Sequence, residues 1–338
     1  MSNIVAERIE HLARLGQVLQ KPETLDEAIA IGASSNVWFV EEFVRNAINM
    51  ICHEMLNEEA LTKWVAEYNI THRIDKTIGI IMAGNIPLVG FHDFLCGYVC
   101  GCKMKLKLSG KDDRLLPYIL QLLSDIDDSL KDRVQIIEKL DGYDAVIATG
   151  SNNSNRYFEY YFRQYPKVLR RNRNSVAIIS GDETAEDLTA LADDVFMYFG
   201  FGCRNVSKIY VPVDYDITQL FPHFEKYKWF HHHNKYMNNY DYNRSILLLN
   251  SSPHLANEFV MLQEHNSLSS PIAMLHYERY KDEEQLKSII KNEQPNIQSI
   301  VDGERGLKFG ESQKPSLSDY ADGVDIVKFI LSLKTITQ

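Results

Sequence analysis

Two hydrophobic periods alternate along this chain, and their order outlines a fold before any reactive residue is considered. From Asn3 to about Tyr68 the apolar positions repeat with the period of an α-helix: Ile4, Ile9, Leu12, Leu15 and Leu19 fall on one side of a first segment, and a longer helix is predicted from Val37 to about Leu56. At Thr77 the pattern changes. Ile78-Gly79-Ile80-Ile81-Met82 is a short continuous apolar run, the mark of a strand buried on both faces, and it ends in Ala83-Gly84-Asn85-Ile86-Pro87. Helical spacing then returns at Phe91, Phe94, Leu95, Tyr98, Val99 and Cys102; Gly101 closes that helix, and Lys103 to Leu108 alternates strictly. Strand, turn, helix, strand is a βαβ crossover, whose ligand side lies at the carboxyl ends of its strands. Asn85 and Lys107 are therefore predicted near one rim.

The alternation continues. A helix from Leu115 to about Ile126 leads to a strand at Val134–Ile137, and Ala145-Val146-Ile147-Ala148 is a buried strand ending in the polar turn Thr149-Gly150-Ser151. A helix through Tyr157 to Phe162 returns to a strand at Ser175–Ile179. This order predicts an α/β fold with a doubly wound, mostly parallel sheet. Next, Leu188, Leu191, Ala192, Val195 and Phe199 form a helical stripe opened by the capping run Thr184-x-x-Asp187, and the helix is predicted to stop at Gly200. Gly200 and Gly202 bracket Phe201 and let the backbone turn tightly, which delivers Cys203 at a sharp bend just before the strand Ile209-Tyr210-Val211. Arg204 and Lys208 lie close in sequence, and a positive neighbourhood favours the reactive thiolate.

Beyond Val211 the pattern weakens. The aromatic segment from Phe221 to Tyr242 reads equally as the lining of a substrate tunnel or as surface. His231, His232 and His233 read as solvated surface, because consecutive histidines share no helix face and cannot ligate one ion from a strand without bending. A charged amphipathic helix is predicted at 282–291, and a closing helix from Asp322 to Leu333 after the turn-rich Gly310 to Pro315.

Composition narrows the function. A length of 338 residues suits two domains, or one domain with a large insertion, and a formal net charge of -10 argues against a protein that grips nucleic acid through its phosphates. Small-molecule chemistry is the better expectation. Five cysteines, Cys52, Cys96, Cys100, Cys102 and Cys203, show no disulfide-framework spacing and imply reduced thiols in a cytoplasmic setting. Cys96, Cys100 and Cys102 have no matching second ligand pair and are read as packing rather than a metal site. The amino-terminal stretch is amphipathic and carries acids, unlike a signal peptide, and no run is long enough to span a bilayer.

Four short motifs in order give the chain a resemblance. Asn85-Ile86-Pro87 after a strand, Gly101 spaced to Lys107 and Ser109, the turn Thr149-Gly150-Ser151, and Phe196-x-x-x-Gly200-x-x-Cys203 together resemble the acyl-CoA reductases of the LuxC type, a branch of the aldehyde dehydrogenase superfamily. The closing FGESQKPSLSDYADGVD is similar to that branch in particular. The resemblance implies an aldehyde-dehydrogenase-like architecture: N-terminal helices and a dinucleotide-binding domain over residues 1–170, with a C-terminal return at 311–338, and a catalytic cysteine domain at 171–310. It implies Cys203 as nucleophile and Asn85 as oxyanion donor. Lys107 and Ser109 are implied at the cofactor ribose, Thr149, Gly150 and Ser151 beside the pyrophosphate, and a homodimer or other homo-oligomer is the superfamily's expectation.

Departures from the family pattern sharpen the expectation. Aligning Ser175 with the superfamily's motif puts Arg170 where acid-forming relatives carry the glutamate that activates water, so hydrolysis of an acyl-enzyme should be slow. The Glu-x-Phe-Gly-Pro glutamate is also missing, since the segment ending at Pro271 reads Ser267-Leu268-Ser269-Ser270; Glu264 is the nearby stand-in. Gly110 replaces the acid that binds ribose hydroxyls in NAD-preferring relatives, and Lys111 adds a charge that attracts a 2′-phosphate, which favours NADPH over NADH. The expected reaction is NADPH-dependent reduction of an acyl-CoA, fatty acyl-CoA foremost, to the aldehyde through an acyl-cysteine. The competing expectations are a reductase of acyl phosphates and a cysteine acyltransferase or acyl carrier without hydride transfer.

Overall fold

A computed structural model describes residues 3–333, in two units: 3–172 with 315–333, and 173–314. Residues 1, 2 and 334–338 lie outside that description, and with them the end of the 311–338 segment assigned to the first domain.

The first unit opens with helices α1 (Asn3–Leu19), α2 (Pro22–Ser35), α3 (Glu41–Met50) and α4 (Glu58–Ala66). The helix predicted from Val37 begins four residues later, at Glu41, because Val40 is extended; Glu41 and Glu42 then sit in the first turn, where the helix dipole favours acids. A π-helical turn, Ile51–Met55, carries it on to Leu56. There follow β1 (Thr77–Ile81), α5 (Phe91–Cys100), β2 (Lys103–Lys107), α6 (Leu115–Ser124), β3 (Val134–Ile136), β4 (Ala145–Thr149), α7 (Asn152–Tyr161) and β5 (Lys167–Arg170). The sheet runs β3-β2-β1-β4-β5, every pair parallel. β1 and β4 lie centrally, as their continuous apolar runs require, and α5 is buried along its whole length. Gly101 ends α5 in the left-handed conformation (φ 72) that a helix C-terminus commonly takes.

β5 was not anticipated from the pattern. It is only four residues long, and its two buried positions are Val168 and Arg170, so the usual apolar alternation is broken by a charge. The C-terminal helix Ile326–Ser332 packs on α5, capped by Asp325, whose carboxylate accepts the Tyr68 hydroxyl (3.0 Å).

The second unit holds β6 (Asn174–Ile178), α8 (Ala185–Phe196), β7 (Val206–Pro212), α9 (Leu220–His223), α10 (Asn234–Leu249), β8 (Leu255–Ala256), β9 (Met261–Glu264), β10 (Met274–Tyr280), α11 (Glu283–Glu293) and β11 (Ile297–Val301). Its sheet runs β11-β6-β7-β10-β9-β8, parallel except for the short β8–β9 pair. The aromatic segment that left tunnel and surface open is chiefly core. Phe224, Tyr227, Phe230 and Tyr236 are buried, and they surround Phe196 and Phe199 with ring centroids 4.5 to 6.0 Å apart. Tilted and edge-to-face packing of this kind fills space with large rings. Tyr242, six residues beyond Tyr236, is exposed. No helix among the described residues is long and apolar enough to cross a membrane.

Candidate active site

Cys203 sits at the tip of a turn built from both ends. On its amino-terminal side, Thr184 and Asp187 form the reciprocal capping box that starts α8. The helix stops at Phe196, four residues short of the predicted Gly200. Met197 swings to an extended conformation (ψ 137), and Tyr198 and Phe199 are both left-handed (φ 55) before Gly200 (φ 78). Left-handed non-glycine residues cost roughly 1–2 kcal/mol each, so something must hold them. Burial of both rings does part of this. Asn205 adds to it: its Nδ2 donates to the carbonyls of Asp194 (3.2 Å), Val195 (3.4 Å) and Met197 (2.8 Å), sharing two hydrogens among three oxygens, the first two of them end groups that α8 itself leaves open.

The same side chain shapes the cysteine turn. Its Oδ1 accepts the Gly202 N–H (2.8 Å), and the Asn205 backbone N–H donates to the Gly202 carbonyl (3.0 Å). From β6, the Ser175 hydroxyl donates to the Cys203 carbonyl (3.0 Å) and is hydrogen-bonded to the Ser299 hydroxyl (2.6 Å). Of the five cysteines, Cys203 alone is exposed. Burial pushes the thiols of Cys52 and Cys102 up to about 12 and those of Cys96 and Cys100 well above the ordinary value, which leaves them protonated and unreactive.

Lys208 does not supply the positive neighbourhood expected of it. Its side chain is buried, its ammonium pairs with the Glu278 carboxylate and donates to the Asn266 carbonyl (2.7 Å), and it lies 5.0 Å from the centre of the Tyr210 ring. A lysine in a strand interior must be paired to be tolerated, and here that pairing neutralises it. Arg204, half-buried, is the basic residue next to the cysteine in the chain.

In the first unit, the strand order reverses direction between β1 and β4, and in sheets of this type ligands bind at the carboxyl ends beside that switch point. Asn85 follows β1 and the Thr149-Gly150-Ser151 turn follows β4, with Lys107 ending β2 and Ser109 just after it. The unit thus brings Asn85, Lys107, Ser109, Lys111 and the Thr149–Ser151 turn to one rim. Asn85, Lys107 and Ser109 are half-buried, and Lys111 is exposed. Gly84 lies so close to Ser109 that a Cβ there would stand 2.7 Å from both Ser109 Cβ and Oγ. Asp112, unanticipated from the sequence, stitches the turns together: its Oδ2 accepts the N–H of left-handed Leu88 (2.9 Å), and its own N–H donates to the Ser109 carbonyl (2.9 Å). Burial raises its carboxyl to about 6.

The β4 turn is tied as firmly. Ser151 caps α7 by accepting the Ser154 N–H (3.2 Å), and a side chain on Gly150 would meet Ser154 and Phe158 at 2.9 Å. Asn155, buried and likewise missed in the sequence, donates to the carbonyls of Gly150 (3.1 Å) and Arg170 (2.6 Å). The Arg170 guanidinium forms a buried two-bond pair with Asp93 at 2.5 and 2.7 Å. These features fit a dinucleotide: a glycine-shaped turn opens directly onto a helix N-terminus with no acid in its first turn, and Lys107 ends β2, on the far side of β1 from that turn.

Glu264 ends β9 with an exposed side chain, 3.7 Å from Arg279. The Ser267–Ser270 segment is anchored by the Ser207 hydroxyl on the Leu268 carbonyl (2.6 Å) and by His276, whose Nδ1 lies 3.0 Å from the Ser267 carbonyl and whose pKa burial lowers to about 4. His231 and His232 are exposed, whereas His233 caps α10, its Nδ1 accepting the Tyr236 N–H (3.1 Å). Among the described residues no group of three or more His, Cys, Asp or Glu is arranged to hold a metal ion.

Solved structures with this architecture are aldehyde dehydrogenases. Betaine aldehyde dehydrogenase from Staphylococcus aureus superposes with a TM-score of 0.64 at 10% identity, covering 84% of this chain and 68% of that one. An NAD+ complex of the Bacillus cereus aldehyde dehydrogenase gives 0.63 at 13% identity, over 87% and 70%. The Mycobacterium tuberculosis aldehyde dehydrogenase, also with NAD+, gives 0.62 at 14%, over 84% and 70%. At such identities the likeness carries the fold. No curated protein sequence matches the chain. The sequence profile described as "Acyl-CoA reductase (LuxC)" matches residues 17–220, more than half of the chain, and the protein belongs to that family. It is accordingly an oxidoreductase of the acyl and aldehyde class.

Proposed function

We propose that this protein reduces an acyl-CoA thioester to the aldehyde with NADPH, by way of an acyl thioester on Cys203. The observation that carries the reading is the exposure of Cys203 at a braced turn, while the other four thiols are buried. Cys203 as thiolate attacks the thioester carbonyl, the carbon–sulfur bond to coenzyme A breaks, and coenzyme A leaves as a thiolate that needs little protonation. The Asn85 side-chain amide and the Cys203 N–H are the donors assigned to the tetrahedral oxyanion, and such donors are commonly worth about 3–4 kcal/mol each. Lys107 and Ser109 at the ribose and the Thr149–Ser151 turn beside the pyrophosphate would hold a nicotinamide dinucleotide, which would supply the hydride when bound. The resulting thiohemiacetal collapses to the aldehyde, and the Cys203 sulfur is expelled as thiolate, ready for another turnover.

Two features favour reduction over hydrolysis and NADPH over NADH. Arg170 is committed to Asp93 in the interior, so the position of the water-activating glutamate offers no base. Position 110 is a glycine, with no carboxylate of its own to repel a 2′-phosphate, and the exposed Lys111 next to it brings a positive charge. Intact-mass spectrometry after incubation with acyl-CoAs of graded chain length, beside Cys203→Ala, tests the intermediate. NADPH and NADH oxidation with the acyl-CoA that labels best, and with the matching acyl phosphate, tests the reaction. A mass shift retained in Cys203→Ala, or labelling without oxidation of either nucleotide, would overturn the proposal.

A further inference from the structure

We infer that Asn205 is the positioning residue of the nucleophile, joining the end of α8 to the cysteine turn through one amide and setting the direction in which the Cys203 sulfur and N–H are presented. The inference rests on the reading of Cys203 as acyl acceptor. An ordinary helix cap would need only donors aimed at the last carbonyls. Here the donors to Asp194, Val195 and Met197 and the acceptor for the Gly202 N–H belong to one planar group, so the helix end and residues 202–205 cannot move independently. The backbone of Asn205 extends the tie to the sheet, its carbonyl accepting the Ser175 N–H (3.3 Å), while the Ser175 hydroxyl holds the Cys203 carbonyl (3.0 Å).

The far end of the scaffold is equally fixed. Asp194, one of the residues whose carbonyl Asn205 holds, is fully buried, and its carboxylate accepts the N–H groups of Gly310 (2.6 Å) and Ser312 (2.9 Å). Asn205 itself is 2% exposed. No other side chain of its size does the same work: aspartate would set a carboxylate against three carbonyl oxygens, and leucine would strand the Gly202 N–H. Attack on a thioester needs the sulfur and the oxyanion donor held together, and a misplacement of about 1 Å costs as much as ~100-fold. Alkylation by a small haloacetamide needs only an exposed thiolate.

The test compares those two reactions in Asn205→Asp, Asn205→Ala and Ser175→Ala. Acylation of Cys203 by the best wild-type acyl-CoA is timed by quenched-flow mass spectrometry over a range of thioester concentrations, beside iodoacetamide alkylation and thermal unfolding. Expected is a ~30–100-fold fall in the saturating acylation rate of both Asn205 variants. The half-saturating concentration should be little changed and alkylation should fall by less than about threefold. Ser175→Ala should slow acylation by roughly 3–10-fold. Acylation at the wild-type rate in the Asn205 variants overturns the inference, and so does a parallel loss of acylation and alkylation, which would mean that Asn205 merely keeps the turn folded. If neither Asn205 variant folds, Ser175→Ala decides alone, wild-type acylation there counting against. A wild-type protein that takes no acyl group from any thioester removes the underlying reading and this inference with it, an outcome distinct from the others because no variant is involved.

Discussion

Burial sorts the five thiols without help from sequence motifs. Cys52, Cys96, Cys100 and Cys102 are withdrawn from solvent and held protonated by it, so native protein treated with iodoacetamide near pH ~8 should gain one adduct, on Cys203, and five after denaturation. Peptide mapping of a second native adduct to the α5 cysteines would contradict the packing. Asp112 makes the opposite kind of prediction. Its carboxyl is raised from 3.8 to about 6 by burial, against the Leu88 N–H that favours the ionised form. A carboxyl raised on folding binds its proton more tightly in the native state, so its destabilising effect is absent below the unfolded value and fully present above the folded one. Asp112→Asn keeps an acceptor for Leu88 and cannot ionise. It should therefore be more stable than the wild type near pH ~8, by up to ~2–3 kcal/mol, with the difference vanishing near pH ~4. Urea midpoints that differ equally at both pH values would refute the account.

Which elements could be read from the sequence depended on what occupies their inward positions. β1 and β4 were legible because they are apolar throughout, and the start of α8 because Thr184 and Asp187 form a local cap. β5 escaped because one of its two buried residues is Arg170, a charge that makes sense only once Asp93 is seen opposite it. The end of α8 escaped for a related reason: Asn205, nine residues beyond Phe196, takes the helix's last carbonyls, and no periodicity reports a partner that arrives from the next turn. The candidate site follows the same rule. Its glycine turns and Cys203 can be read from the chain, whereas Asp112, Asn155 and Ser175, which brace them, are polar residues whose partners come from other elements. The Arg170–Asp93 pair carries a measurable consequence. Asp93→Leu alone leaves a buried guanidinium unpaired and should cost ~3–5 kcal/mol in urea unfolding, while Asp93→Leu with Arg170→Met should recover most of that loss. A double variant no better than the single one would mean that the arginine is held by something other than Asp93.

Across the whole molecule the candidate site residues are divided between units: the rim of Asn85, Lys107, Ser109 and the Thr149–Ser151 turn belongs to 3–172, and Cys203 with its bracing belongs to 173–314. If Cys203 takes the acyl group and the Lys107 rim serves only the nucleotide, formation of the acyl-enzyme and its reduction are separable by substitution. Lys107→Ala should acquire the acyl adduct at the wild-type rate, seen by intact mass, yet lose aldehyde production by ~100-fold, because a bound nucleotide's ribose would have lost its charged donor. Without nucleotide the wild-type adduct should persist far beyond one turnover, since Arg170 is locked in an ion pair and cannot act as a base toward water. Exchanging Gly110 for glutamate should move nucleotide preference toward NADH by restoring a carboxylate that accepts ribose hydroxyls and repels a 2′-phosphate. Lys107→Ala that fails to acylate would show the rim taking part in thioester chemistry, and rapid spontaneous loss of the adduct would show that another group has taken over the missing glutamate's task, with Glu264 the first to substitute by glutamine.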